Sequence, residues 1–165
     1  SFTGLRIGLS EAKGLAYALD IPLIGVDTLK LLTTRVMFSS DEIDPGTIFI
    51  PMVDARRMEV YTAAYDFALN ELLAPQALVL DENSYSELRN SGRPILYFGS
   101  GAAKAQDIFA TTPGARYVPD VEALAVDMIA LAERAYAMRD FIDTAYSTPA
   151  YLKDFQATVP KHKVI

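Results

Sequence analysis

Three places in this sequence carry residues whose types and spacing could do chemistry. In ILYFGSGAAKAQDIF, Gly99 and Gly101 stand between an apolar run and a helical pattern. Free backbone N–H groups at such a junction can cradle a phosphate, which makes the two glycines candidates for nucleotide binding. Gly-x-Gly alone lacks the placed lysine of a P-loop and the third glycine of a dinucleotide fingerprint, so a tight strand-to-helix turn is the competing reading. In VDARRMEV, Asp54, Arg56, Arg57 and Glu59 cluster at an expected hairpin end. They form either a binding surface or the solvated, loosely paired charges of a structural turn. In the first twenty residues, Gly4, Gly8, Ala12 and Ala16 place a small residue at every fourth position beside Leu5 and Leu9. Such a stripe lets a second helix approach the backbone closely, although packing against the chain's own sheet would use it equally well.

The inventory excludes several chemistries. The 165 residues contain no cysteine and one histidine, His162, in the terminal PKHKV. No thiolate site, two-imidazole metal site or Ser/His/Asp triad can be built from them, so no catalytic residue and no metal ligand is assigned. A formal net charge of -6 opposes direct, dominant nucleic-acid binding. The longest charge-free window, Pro94 to Ala103, falls far short of the roughly 18 residues of a membrane span. A cysteine-free chain is compatible with a reducing cytoplasm, where we expect it.

The elements that must position these residues follow from periodicity and punctuation. Leu5, Leu9, Ala12, Ala16 and Leu19 recur at helical spacing against Arg6, Ser10, Lys13 and Tyr17, predicting an amphipathic helix with Thr3 as N-cap. IPLIGV reads as a short buried strand, and Asp27-Thr28 as the cap of a helix through Lys30 to Phe38. Ser39 to Gly46 is a turn cluster, and we place a boundary there. Residues 1–40 are then a helix-strand-helix unit whose partners are expected upstream of Ser1, and residues 41–165 an α/β unit with a C-terminal tail. Within the second unit, Ile48–Val53 and Met58–Tyr65 predict a hairpin joined by DARR, with Pro51 marking an edge or a bulge. ALVL and ILYF predict short strands. Helices are expected after Ser84, after Ala102 and from Val121 to Arg139, the last capped by Asp120 with Glu122 in its first turn. The tail STPAYLKDF is expected to pack back through Tyr151, Leu152 and Phe155.

SFTGLRIGLSEAKGLAYAL, IPLIGVDTL and MVDARRMEVYTAAYD together resemble the TsaB (YeaZ) family, and the likeness continues through FGSGA and PAYL. That family's glycine-proline-glycine loop and first strands would precede Ser1. The resemblance implies an actin-like ATPase (ribonuclease H-like) α/β fold, with the C-terminal lobe complete and the N-terminal lobe partial. It also implies a non-catalytic partner subunit in the transfer of threonylcarbamoyl to N6 of adenosine 37 of tRNA. The transfer itself would belong to a TsaD-like paralogue, with a TsaE-like ATPase in the assembly and a homodimer as another form. The tRNA would be met only indirectly, no membrane would be involved, and ATP would enter only in the assembled complex, since no cofactor is intrinsic. Under this resemblance Leu5, Gly8, Leu9, Ala12 and Ala16 become a partner interface. The alternatives are a degenerate glycoprotease-like hydrolase and a nucleotide-binding module of the same fold class.

Overall fold

The computed structural model describes residues 2–39 and 42–153. At its centre is a five-stranded sheet in the order β3-β2-β1-β4-β5, built from β1 (Ile48–Asp54), β2 (Glu59–Tyr65), β3 (Glu71–Val79), β4 (Ile95–Phe98) and β5 (Ala115–Val118). β1–β2 and β2–β3 are antiparallel, whereas β1–β4 and β4–β5 are parallel. The central strand has both faces covered, and its near-continuous apolar run IFIPMV is what such a position requires. Ile48, Ile50 and Met52 join Val60, Ala64, Ile95, Tyr97 and Phe109 on one face. Phe49 joins Leu96 and Phe98 on the other, beneath Leu32 and Val36 of α2 (Thr28–Met37). Burying aromatic side chains as fully as Phe49 and Phe98 contributes about 1.5–3 kcal/mol each.

Asp27 caps α2 as its sequence suggests, its Oδ1 accepting from the N–H groups of Leu29 at 2.9 Å and Lys30 at 3.0 Å. Thr33 and Thr34 are buried on this helix because each hydroxyl donates to the carbonyl one turn earlier, of Leu29 and Lys30 respectively. The opposite layer holds α3 (Ser86–Arg89), a 3-10 turn at Ala102–Ala105 and α4 (Gln106–Phe109). Among the described residues α1 (Phe2–Leu19) is held by Ala16, which is buried, by Lys13, which donates to the carbonyls of Ala145 and Ser147, and by Arg6, which donates to the Tyr151 hydroxyl. α5 spans Ile129–Met138.

Several sequence expectations are corrected. IPLIGV is not a strand: Leu23 makes an isolated antiparallel bridge to Ile142, and among the described residues no longer ladder supports it. A strand needs neighbours for its backbone groups, and here it meets only one. Pro51 lies in the central strand rather than at an edge. Pairing of β1 to β2 is recorded at Phe49 and again from Met52, and the Pro51 carbonyl accepts instead from the Thr62 hydroxyl at 2.9 Å. The strand expected at ALVL begins earlier, at Glu71, because Asp66 closes a tight turn by accepting from the N–H groups of Ala68 and Asn70. Thr3 is inside α1 and is not its cap. Asp120 adopts φ 56° and starts no helix. Residues 121–124 stay out of helix, a 3-10 turn follows at Ala125–Met128, and Asp127 accepts from the Leu124 N–H while pairing with Arg35 on α2. Leu152 packs beside Leu29, Ala63 and Tyr65, as expected of the tail, whereas Phe155 and His162 lie outside the described residues.

Candidate functional site

Two surfaces receive the residues singled out above. The first lies where β1 and β4 end. The DARR segment is the hairpin turn between β1 and β2, with Ala55 N–H donating to the Glu59 carbonyl at 3.1 Å and Glu59 N–H to the Arg56 carbonyl at 3.1 Å. Asp54 accepts from the Arg56 N–H at 2.7 Å and pairs with the Lys104 ammonium, while Ser100 Oγ accepts from the Asp54 N–H at 3.1 Å. Lys104 also donates to the Glu59 carbonyl at 3.1 Å, and Lys153 reaches the Glu59 carboxylate at 2.7 Å. The structure therefore joins the hairpin motif to the FGSGAAK turn. The Lys104 hydrogen bond, followed by that from the Arg56 backbone, holds the Asp54 carboxyl below its ordinary range.

Gly99 and Gly101 serve close packing in this arrangement. Gly99 has φ +99°, and a Cβ there would meet the Met52 carbonyl oxygen at 2.5 Å. A Cβ at Gly101 would meet Val60 Cγ1 at 2.7 Å, and the Gly101 N–H donates to the Met52 carbonyl at 3.0 Å. Both positions need glycine because the turn presses on β1. Two shallow hollows of about 280 and 450 Å³ lie along β5, lined in common by Ile43, Leu96 and Arg116, and neither reaches these glycines or the hairpin. Among the described residues no three His, Cys, Asp or Glu side chains gather to hold a metal ion. Among them, too, no helix is long and apolar enough to cross a membrane.

The second surface is α1. Leu5, Ile7, Leu15, Tyr17 and Leu19 are 52, 62, 56, 85 and 63 % exposed, so the helix presents apolar side chains over most of its circumference. A Cβ on Gly8 would meet nothing within 4 Å among the described residues. Leu9 and Ala12 are half-buried, and Ala16 is buried in the chain's own interior. Of the stripe read from sequence, Leu5 and Gly8 are open, Leu9 and Ala12 border the surface, and Ala16 belongs to the interior.

Sequence reasoning missed Lys104, Ser100 and Lys153. Lys104 and Ser100 sit in the very segment that carries Gly99 and Gly101, so their place after a strand was the available signal. Lys153 reaches Glu59 from far along the chain, and no local pattern announces that.

A family model described as TsaD, tRNA N6-adenosine threonylcarbamoyltransferase, matches residues 1–161. The tRNA threonylcarbamoyladenosine biosynthesis protein TsaB of Bacillus subtilis (strain 168) is 36 % identical over 101 residues, 60 % of this chain and 42 % of that protein. The protein of the same name from Escherichia coli (strain K12) is 27 % identical over 162 residues, 93 % of this chain and 67 % of that one. The match to the Bacillus protein thus spans less than half of that relative. Among solved structures, YeaZ from Pseudomonas aeruginosa has a TM-score of 0.73 at 25 % identity, covering 92 % of this chain and 69 % of its own. A Pseudomonas aeruginosa protein described as similar to peptidase YEAZ has a TM-score of 0.71 at 24 % identity over 93 % of this chain and 69 % of its own, a likeness of fold alone. The sheet order, with the antiparallel β1–β2–β3 run beside the parallel strands β4 and β5, is accordingly that of an actin-like, ribonuclease H-like domain. With residues 1–161 matched by that family model and TsaB proteins as its relatives, the chain belongs to the tRNA N6-adenosine threonylcarbamoyltransferase family, on its TsaB (YeaZ) side.

Proposed function

We propose that this chain is part of a non-catalytic partner subunit that supports threonylcarbamoyl transfer to N6 of adenosine 37 of tRNA by a TsaD-like paralogue. The relatives carry tRNA threonylcarbamoyladenosine biosynthesis in their names. The observation that carries the partner role is α1, which leaves Leu5, Ile7 and Leu15 exposed around an open Gly8. An apolar helix face of this kind favours docking of another apolar face, because burial removes its surface from water. Leu5, Gly8, Leu9 and Ala12 form the proposed contact. A TsaE-like ATPase joins the assembly, ATP enters only there, and the complex works in the cytoplasm. The same helix can alternatively pair with a second copy of the chain.

The test is Gly8→Leu in the full-length protein. A leucine there has room in the free chain, so its effect is felt where a partner helix must come close. Overpacking of this kind costs about 1–3 kcal/mol, or about fivefold to more than a hundredfold in affinity for the TsaD-like paralogue by calorimetry. Arg57→Ala, on the hairpin, should leave that affinity nearly unchanged. If Gly8→Leu, shown by circular dichroism to be folded, binds the paralogue and itself as tightly as wild type, the interface assignment is wrong.

A further inference from the structure

The DARR turn is left over by this reading, and its geometry is unusual. Arg56 and Arg57 are consecutive residues at φ 71° and 46°. Hairpin turns with two left-handed residues favour Asn-Gly or Asp-Gly, because side chains with a longer stem are strained there. Two arginines thus occupy positions that local backbone chemistry disfavours, and both are exposed. Neither guanidinium makes a hydrogen bond or close ion pair among the described residues. The nearby carboxylates are already engaged, Asp54 by Lys104 and Glu59 by Lys153. The pairing cancels those charges and leaves the two guanidinium groups as a local positive tip on a chain of net charge -6.

We propose that the Arg56–Arg57 tip is an auxiliary docking surface for the phosphodiester backbone of an RNA. The proposal rests on the functional reading above, which puts a tRNA in the same assembly, and it replaces the indirect contact expected from the resemblance with a direct one at the tip. Guanidinium groups pair with phosphate oxygens in a planar, bidentate fashion and need no pocket to do so. An acidic protein partner fits less well, since a protein interface needs an apolar centre, whereas among the described residues the tip offers Met58, and the β3 end beside it Val79, as isolated apolar side chains among charges. The contact is local and weak by itself. Overall negative charge keeps the free chain from binding RNA, and the tip acts once the assembled complex has brought the RNA near.

The experiment uses the full-length protein bound to its TsaD-like paralogue and measures affinity for unmodified tRNA by fluorescence anisotropy across a salt series. Arg56→Ala/Arg57→Ala should weaken tRNA binding about tenfold and make the logarithmic salt dependence shallower by about 1 to 2. Arg56→Lys/Arg57→Lys should restore most of the salt slope, since the charge returns. Unchanged tRNA affinity and slope in the alanine variant, with paralogue binding intact by calorimetry, overturns the RNA surface and leaves the partner reading standing. Loss of paralogue or ATPase-subunit binding with tRNA affinity preserved overturns it in favour of an acidic protein contact.

Discussion

The Tyr85 hydroxyl donates to Thr62 Oγ1 at 3.0 Å, and Thr62 in turn donates to the carbonyl of Pro51 at 2.9 Å. This buried relay ties the segment before α3 through β2 to the proline in the central strand. It gives the Pro51 carbonyl a partner at the point where recorded β1–β2 pairing is interrupted.

The end and the middle of that relay should respond differently to deletion. Tyr85→Phe removes one hydrogen bond and is expected to cost about 0.5–1.5 kcal/mol. Thr62→Val removes the middle member and leaves a buried hydroxyl and a buried carbonyl without their partner. Its cost should exceed that of Tyr85→Phe by about 1–3 kcal/mol. Urea unfolding of the two variants checks the order, and equal costs would show that the relay does not act as a unit.

Glycine substitutions should separate packing from open space. Gly99→Ala places a Cβ against the Met52 carbonyl in a left-handed backbone, and Gly101→Ala presses on Val60. Each is expected to destabilise by about 1–3 kcal/mol. Gly8→Ala, with nothing within 4 Å among the described residues and in a helix interior, should stabilise by about 0.5–1 kcal/mol. Thermal melts of the three variants read the sign directly.

Acid should loosen the sheet end before it affects the core. Asp54 has a folded-state pKa below its ordinary 3.8, chiefly through its hydrogen bond from Lys104. Its contribution is therefore present above pH 3.8 and is lost as pH falls through the lowered folded value. Lys104→Met should move the Asp54 carboxyl back up in an NMR titration. No change in its titration midpoint would mean that Lys104 does not engage it.

Alkali should act on the buried tyrosines. Burial raises the folded-state pKa of Tyr65 and Tyr85 above their ordinary 10.0, with Asp27 and Glu71 adding to the effect on Tyr65. Stability tied to these two groups is full below pH 10.0 and declines as pH rises above it, because only the unfolded chain ionises them readily there. Tyr85→Phe should flatten that decline in stability measured between pH 9 and pH 11 or so.

The α/β character, the hairpin with DARR at its turn, the Asp27 cap and the strand ILYF were legible in the sequence, because each rests on a local pattern: apolar runs, turn residues, a carboxylate before a helix. The glycines at 99 and 101 were correctly placed between a strand and a helical turn, and tertiary packing against Met52 and Val60 gave both a steric reason. Other features could not be read locally. Whether Pro51 lay at an edge or in the centre depended on which strands paired with β1, and a parallel neighbour more than forty residues away in sequence decided it. Asp120 had the residue type of a cap, but the 3-10 turn begins after Leu124, whose N–H donates to Asp127, the carboxylate that also pairs with Arg35 on α2. IPLIGV had the composition of a strand and lacked a ladder to join. Likewise, the small-residue stripe on α1 could not say which of its members face outward. Only the fold, by burying Ala16 and leaving Gly8 open, divided one periodic pattern into an interior half and an exposed one.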